Sequence, residues 1–210
     1  MKTFSTLVFF LTISLSTLLL GQNVGIKIDE KFSGIDIQLK DVKGNAAPLI
    51  HFKGEKGLLV IFSCNTCPFV VGMKDGSFPG WERQYNDLYA KAKQAGLEMI
   101  LVNSNEGKRD GEDSPKEMAK RQEEMGYKMK YLIDNNSELA NQLAAKTTPH
   151  VFLFDADFTL KFMGSIDNSW DPKRKTDEFY LLDALKQLEG KIKVTESEPR
   201  GCSIKRTTQK

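Results

Sequence analysis

The chain has 210 residues, 40% of them hydrophobic and 28% charged, with a formal net charge of +2. That balance supports one sizeable apolar core, in one domain or at most two. Lys and Arg are spread along the sequence, so it lacks the basic face that nucleic-acid binding requires, and no nucleic-acid partner is expected.

Lys2 precedes an uncharged apolar stretch from Phe4 to Leu20, broken only by Ser and Thr. This pattern reads as a secretory signal peptide over residues 1–21. Cutting before Gln22 leaves Gly21 at the last signal position, although the bulky Leu19 stands where a small residue is preferred. The alternative is an uncleaved membrane anchor, because the run nearly reaches spanning length; membrane contact is expected through this segment alone. No Cys follows the run to carry a lipid. The expected location is therefore exported, periplasmic or secreted.

Beyond the signal, Ile35 to Leu39 alternates apolar and polar residues and predicts a half-buried strand, with Leu49 to Phe52 as its returning partner after a turn. Gly57 opens Leu58-Leu59-Val60-Ile61-Phe62, a continuous apolar run that suits a central strand buried on both faces. Trp81, Tyr85, Leu88, Tyr89 and Ala92 share one helical stripe ended by Gly96. Leu97 to Val102 is a second buried strand, and Asn103 to Asp113 a polar loop. Ser114-Pro115-Lys116-Glu117 announces a helix to about Gly126 with an N-cap, a first-turn proline and a capping-box glutamate. Tyr131 to Ile133 is a strand, and a helix with Leu139, Ala140, Leu143 and Ala144 inward ends at Thr147-Thr148-Pro149. Val151 to Phe154 and Thr159 to Met163 form a hairpin. Thr176 caps a last helix with Phe179, Leu182, Leu185 and Leu188 inward, closed by Gly190. The order predicts an α/β fold with a central mixed sheet flanked by helices, over residues 25–190. Residues 191–210 form a polar, loose tail apart from Ile204.

The three cysteines, Cys64, Cys67 and Cys202, carry the chemistry. An exported chain favours disulfides, but an odd count leaves one thiol over. Cys64-Asn65-Thr66-Cys67-Pro68 stands between a buried strand and a helix, whose N-terminus stabilises a thiolate. Cys64 is then the exposed nucleophile and Cys67 the more buried resolving thiol. Half of a zinc site, a two-thiol copper site and a permanent structural disulfide are the competing readings; His51, His150 and Cys202 form no second ligand pair. No metal or cofactor is expected. A proline at 149, if held cis, brings the Thr148 backbone to the dithiol, where it can pair with an extended substrate; otherwise Pro149 merely stops a helix. His51 and His150 read as structural or surface residues, with His150 near enough to Pro149 to be considered as a proton carrier.

The Cys-x-x-Cys-Pro motif after a buried strand, Thr148-Pro149 before another, and the strand–helix order resemble the thioredoxin superfamily. The leading hairpin and the extra strand–helix between Leu97 and Tyr131 resemble its peroxiredoxin-like (AhpC/TSA-like) exported redoxin branch. The ending Gly201-Cys202-Ser203-Ile204-Lys205 is similar to one that recurs there. The resemblance implies a thioredoxin-like fold, an active-site dithiol at Cys64 and Cys67, and a cis-proline at Pro149 beside Thr148; Cys202 reads either as a third redox thiol, which the similar ending favours, or as a small tail residue that happens to be Cys. It departs from the pattern twice. Thioredoxin carries a buried acid six residues before its first active-site cysteine, where Leu58 stands. Typical peroxiredoxins place Thr or Ser three residues, and Pro seven, before the peroxidatic cysteine. From Cys64 these positions hold Ile61 and Gly57, and from Cys67 they hold Cys64 and Val60.

The implied function is thiol–disulfide exchange with exported protein disulfides, recharged by a membrane or periplasmic thiol electron donor. The alternatives are a thiol peroxidase resolved by Cys67 or Cys202, and a copper-binding or docking protein.

Overall fold

A computed structural model describes residues 25–186, 190 and 194–207. The expected signal segment, and Leu188 of the last helix, lie outside these residues. Strands β1 (Gln38–Lys40) and β2 (Ala46–Pro48) form the leading hairpin. The central strand β3 (Gly57–Phe62) is buried at every position. A single turn, α1 (Pro68–Val71), and then α2 (Tyr85–Gln94) lead to β4 (Leu97–Asn103), which pairs parallel to β3. The helix α3 (Pro115–Glu124) precedes β5 (Lys130–Asp134), parallel to β4. A short helix α4 (Glu138–Gln142) and a two-residue strand β6 (Thr147–Thr148) lead to β7 (His150–Asp155), antiparallel to β3, with β8 (Leu160–Gly164) beside it. Helix α5 (Tyr180–Lys186) and β9 (Cys202–Ser203) follow. The main sheet runs β2-β1-β5-β4-β3-β7-β8, and β6 pairs with β9 in a small second sheet. This is the thioredoxin-like mixed sheet that the sequence predicts.

Strand periodicity divides the core into two layers. Leu59 and Ile61 point into one layer with Met99, Leu101, Val151 and Leu153, covered by Trp81, Tyr85 and Leu88. Leu58, Val60 and Phe62 point into the other with Ile100, Val102, Phe152 and Phe154, covered by Leu39, Leu49 and Leu139. A strand with no polar face needs both covers, and each fully buried aliphatic residue contributes roughly 1.5–3 kcal/mol. Among the described residues, no helix is long and apolar enough to cross a membrane.

The local signals worked where chain neighbours supply the partner. Ser114 caps α3 by accepting the Glu117 N–H, although the Ser114 N–H goes to Gly111 O, so only half of the capping box forms. Asp134 caps α4, its carboxylate accepting the N–H groups of Leu139 and Ala140 at 2.9 and 3.0 Å.

Four expectations are corrected. Leu49–Phe52 is a 3₁₀ turn, because the returning strand is the preceding Ala46–Pro48; its apolar residues Leu49 and Phe52 dip into the core as a turn. The chain does not run as a helix to Thr147: α4 stops at Gln142, and Thr147-Thr148 is a strand. Phe179 lies just before α5 and is exposed, while Leu181, Ala184 and Leu185 face inward, so the stripe is set by Leu181 and not by Phe179. The tail is not loose over 194–207. Met163 bonds to Thr195 and Ser197 along β8, Ile204 is buried, and β9 pairs with β6.

Gly57 starts β3 at φ 142°, and a Cβ there would run into the Phe154 carbonyl and the Asp155 backbone on β7. Gly57→Ala is expected to lower unfolding free energy by about 2–4 kcal/mol, measured by urea titration; an unchanged midpoint would count against this register.

Candidate active site

Strand β3 ends at Phe62, paired with His150, and Cys64 follows two residues later. The same antiparallel register carried two residues past each strand sets Cys64 opposite Thr148. The side chains meet there: Cys64 Sγ lies 3.1 Å from Thr148 Oγ1. The Thr148–Pro149 peptide bond is cis, as expected. Cys67, the N-cap residue of α1, donates its thiol to the Thr148 carbonyl at 2.9 Å. Thr148 therefore touches both sulfurs, one through its hydroxyl and one through its backbone.

Cys202 comes to the same place from the far end of the chain. Its backbone N–H donates to Cys67 Sγ at 3.3 Å, and its side chain packs against the small cluster of Cys64, Cys67 and Val70. All three cysteines are free thiols here. Among the described residues no group of three or more His, Cys, Asp or Glu side chains is arranged to hold a metal ion. Cys64 and Cys67 are each only 3% exposed, so the expectation of an exposed Cys64 is corrected: Thr148 and the C-terminal strand cover it.

Burial and mutual hydrogen bonding govern the charge of the pair. Cys64 is pushed well above the usual thiol range, first by its hydrogen bond with Cys67, then by burial, with the Asp113 charge adding to it. Cys67 is held below that range, chiefly because Cys64 donates to it, with the Cys202 N–H helping. Burial and the hydrogen bond with Cys67 thus oppose a thiolate on Cys64 in the closed site. The helix behind the motif is short: α1 begins after Cys67 and lasts one turn, and Cys67, its N-cap residue, makes no side-chain cap hydrogen bond.

A buried polar network that motif reading missed holds the loop. Asp113 is fully buried and accepts from the Asn65 N–H and Asn103 Nδ2 at 2.8 Å, and from Asn105 Nδ2 at 2.9 Å. Tyr131 donates to the Asn65 side-chain oxygen, and Asn65 Nδ2 donates to Glu112 O. Asn65 apart, these residues run from the end of β4 to the start of β5, so the extra strand–helix unit grips the first residue inside the Cys-x-x-Cys spacer. The sequence signal was available as Asn103, Asn105 and Asp113 at the end of a buried strand, yet in one dimension it reads as a polar loop. Beside the spacer opens a cleft of about 590 Å³, lined by Asn65, Thr66, Glu112, Glu117, Lys120 and Arg121 among others.

His150 takes no part in the dithiol. Its Nδ1 accepts the Lys146 N–H, its ring lies 4.5 Å from that of Phe152, and burial followed by the Lys146 charge depresses its pKa to about 3. It is neutral at working pH. His51 is exposed on the 3₁₀ turn.

This architecture, with a dithiol between β3 and α1 and a cis-proline facing it, defines the class as a thioredoxin-like redoxin. The sequence matches the profile of the AhpC/TSA family over residues 32–163, more than half of the chain, so the chain belongs to that family, whose members are generally oxidoreductases. Solved structures agree in fold. An uncharacterized conserved protein from Geobacillus kaustophilus is similar at 29% identity and a TM-score of 0.73, over 88% of this chain and 94% of that one. A hypothetical protein from Sinorhizobium meliloti 1021 is similar at 26% identity and a TM-score of 0.74, over 88% and 97%. The peroxidoxin BcpB from Mycobacterium tuberculosis shares 16% identity at a TM-score of 0.53, over 78% and 97%. No curated protein matches the chain significantly.

Two outcomes are expected. Asp113→Asn removes a negative charge that disfavours the Cys64 thiolate, so Cys64 should titrate at lower pH, read by the pH dependence of its alkylation rate; a rise would contradict the geometry. His150 binds its proton more weakly folded than unfolded, so its contribution to stability is complete above about pH 6.5 and is lost as pH falls toward 3, by on the order of 4 kcal/mol. His150→Asn should flatten that part of the acid slope of the urea midpoint, and an unchanged slope would count against a buried neutral imidazole.

Proposed function

We propose that this chain is an exported thiol–disulfide oxidoreductase whose Cys64 and Cys67 exchange with disulfides of other exported proteins. The observation that carries the reading is the pair itself: two reduced thiols bonded to one residue, Thr148, at the cis-proline turn. Loss of one of the two thiol protons to water leaves the pair sharing the other between its sulfurs. As a substrate disulfide reaches Cys64, the Cys64 proton passes to Cys67 along their hydrogen bond, and the Cys64 thiolate attacks one substrate sulfur. A mixed disulfide forms and the other substrate sulfur leaves as thiolate, taking up the Cys67 proton. Cys67 then attacks Cys64 Sγ, closing the Cys64–Cys67 disulfide and expelling the second substrate thiolate. A thiol donor of the exported compartment restores the dithiol.

A second reading, thiol peroxidase, is favoured by burial. Thiols only 3% exposed admit a peroxide more easily than a protein disulfide, and Thr148 Oγ1 supplies Cys64 with a hydroxyl neighbour that the local sequence lacks. Thiolate attack on peroxide oxygen would give a sulfenic acid and release water or alcohol, and condensation with a second thiol would release water.

Reduction of a protein disulfide and reduction of hydrogen peroxide, measured side by side, separate these readings. On the exchange reading, Cys64→Ser loses turnover by at least about 100-fold, Cys67→Ser accumulates a mixed disulfide visible as a mass adduct, and peroxide reacts at the rate of an ordinary thiolate. Full exchange activity in Cys64→Ser would overturn the roles assigned. Rapid peroxide consumption that depends on Cys64 would replace exchange by peroxidase chemistry.

A further inference from the structure

The free edge of a short strand beside a reactive dithiol is where an extended chain would add by backbone pairing. In this protein that edge is occupied by the protein's own C-terminus. Strands β6 and β9 pair antiparallel, with Thr147 opposite Ser203 and Thr148 opposite Cys202. The residue placed over the sulfurs by this pairing is itself a cysteine. Cys202 and Ser203 lie beyond the stretch that matches the family profile, which ends at 163.

The segment is anchored on both sides of Cys202. Upstream, the Arg200 N–H donates to Ser165 Oγ at 2.9 Å, and the guanidinium lies 3.9 Å from the ring centre of Trp170. Downstream, Ile204 is buried and its N–H bonds to Lys146 O, while the Lys205 N–H donates to Asn105 Oδ1 at 2.9 Å. Asn105 also holds Asp113, so the same network braces the active-site loop and the C-terminal strand. At Gly201 a Cβ would collide with the Thr148 carbonyl, so only glycine permits this approach. A strand that merely sealed the edge would need neither an N–H aimed at Cys67 Sγ nor a thiol against the pair. Both are present, on one residue.

We propose that Cys202 is a third redox thiol and that Cys67 is the sulfur shared by two alternative disulfides, Cys64–Cys67 and Cys67–Cys202. The proposal rests on the exchange reading for its oxidising equivalent, which arrives as the Cys64–Cys67 disulfide. Cys202 gives its proton to water and its thiolate attacks Cys67 Sγ. The Cys67–Cys202 bond forms, the Cys64–Cys67 bond breaks, and the electron pair leaves on Cys64 Sγ, which takes a proton from water beside Thr148 Oγ1. The step is an isomerisation with no net oxidation. It returns Cys64 to the thiol state while the oxidised pair moves under the C-terminal strand.

The test uses the mature chain with Cys64→Ser, treated in dilute solution with a single equivalent of diamide, alkylated, digested with trypsin without reduction and mapped by mass spectrometry. The expected product joins the peptide from Gly57 to Lys74, through Cys67, to the peptide from Gly201 to Lys205, through Cys202, at least tenfold more than in a urea-unfolded control. Both cysteines recovered alkylated, or joined only between molecules, would overturn the proposal. A second measurement guards against misfolding of that variant. In the wild-type protein oxidised to one disulfide, part of Cys64 should be open to alkylation, and Cys202→Ser should abolish that fraction; an undiminished fraction would also overturn it. Failure of the exchange reading is seen separately, as absent turnover of a protein disulfide by the wild type. The cross-link between Cys67 and Cys202 would then still stand as a property of the thiols.

Discussion

The antiparallel register of β3 against β7 is the constraint on which the site depends. Because Phe62 faces His150, the chains leaving these strands bring Cys64 and Thr148 together, and the next turn carries Cys67 to the Thr148 carbonyl. A shift of one residue would turn Leu58, Val60 and Phe62 into the layer now filled by Leu59 and Ile61. Burial on both faces thus sets the position of the sulfurs to within a hydrogen bond. The core is the positioning device.

Around that axis the protein spends polar burial deliberately. The carboxylate of Asp113 is removed from water and compensated by three N–H donors, one of them the backbone of Asn65 inside the dithiol loop. Removing such a group leaves buried donors unpaired, which costs more than the bonds themselves contribute. The loop therefore takes its shape from a side chain about fifty residues away. The same network touches the electrostatics, since the Asp113 charge adds to the hydrogen bond with Cys67 and the burial that oppose a thiolate at Cys64.

The C-terminal strand changes what the dithiol can meet. With β9 on the Thr148 edge, both active-site sulfurs are covered, and a protein substrate can pair there only by displacing residues 202 and 203.

The sequence by itself determined the α/β order, the buried strands, the hairpin at Asp155 and the dithiol motif, because each is encoded by neighbours: alternation, a continuous apolar run, a cap, a two-residue spacer. It also picked out Cys202 by type. What it left undecided lies across the chain. Leu49–Phe52 looked like a strand because a run of four residues, Leu-Ile-His-Phe, is too short for its period to separate strand from turn. Phe179 looked buried because the helix was read from a Thr176 cap, whereas α5 starts at Tyr180 and leaves Phe179 outside it. The expectation of an exposed Cys64 assumed an open surface, which the fold does not leave. Only tertiary structure joined Cys202 to Cys67, Thr148 to Cys64 and Asp113 to Asn65, since each contact spans a separation that local propensity does not sense and is fixed by sheet register and buried hydrogen bonds.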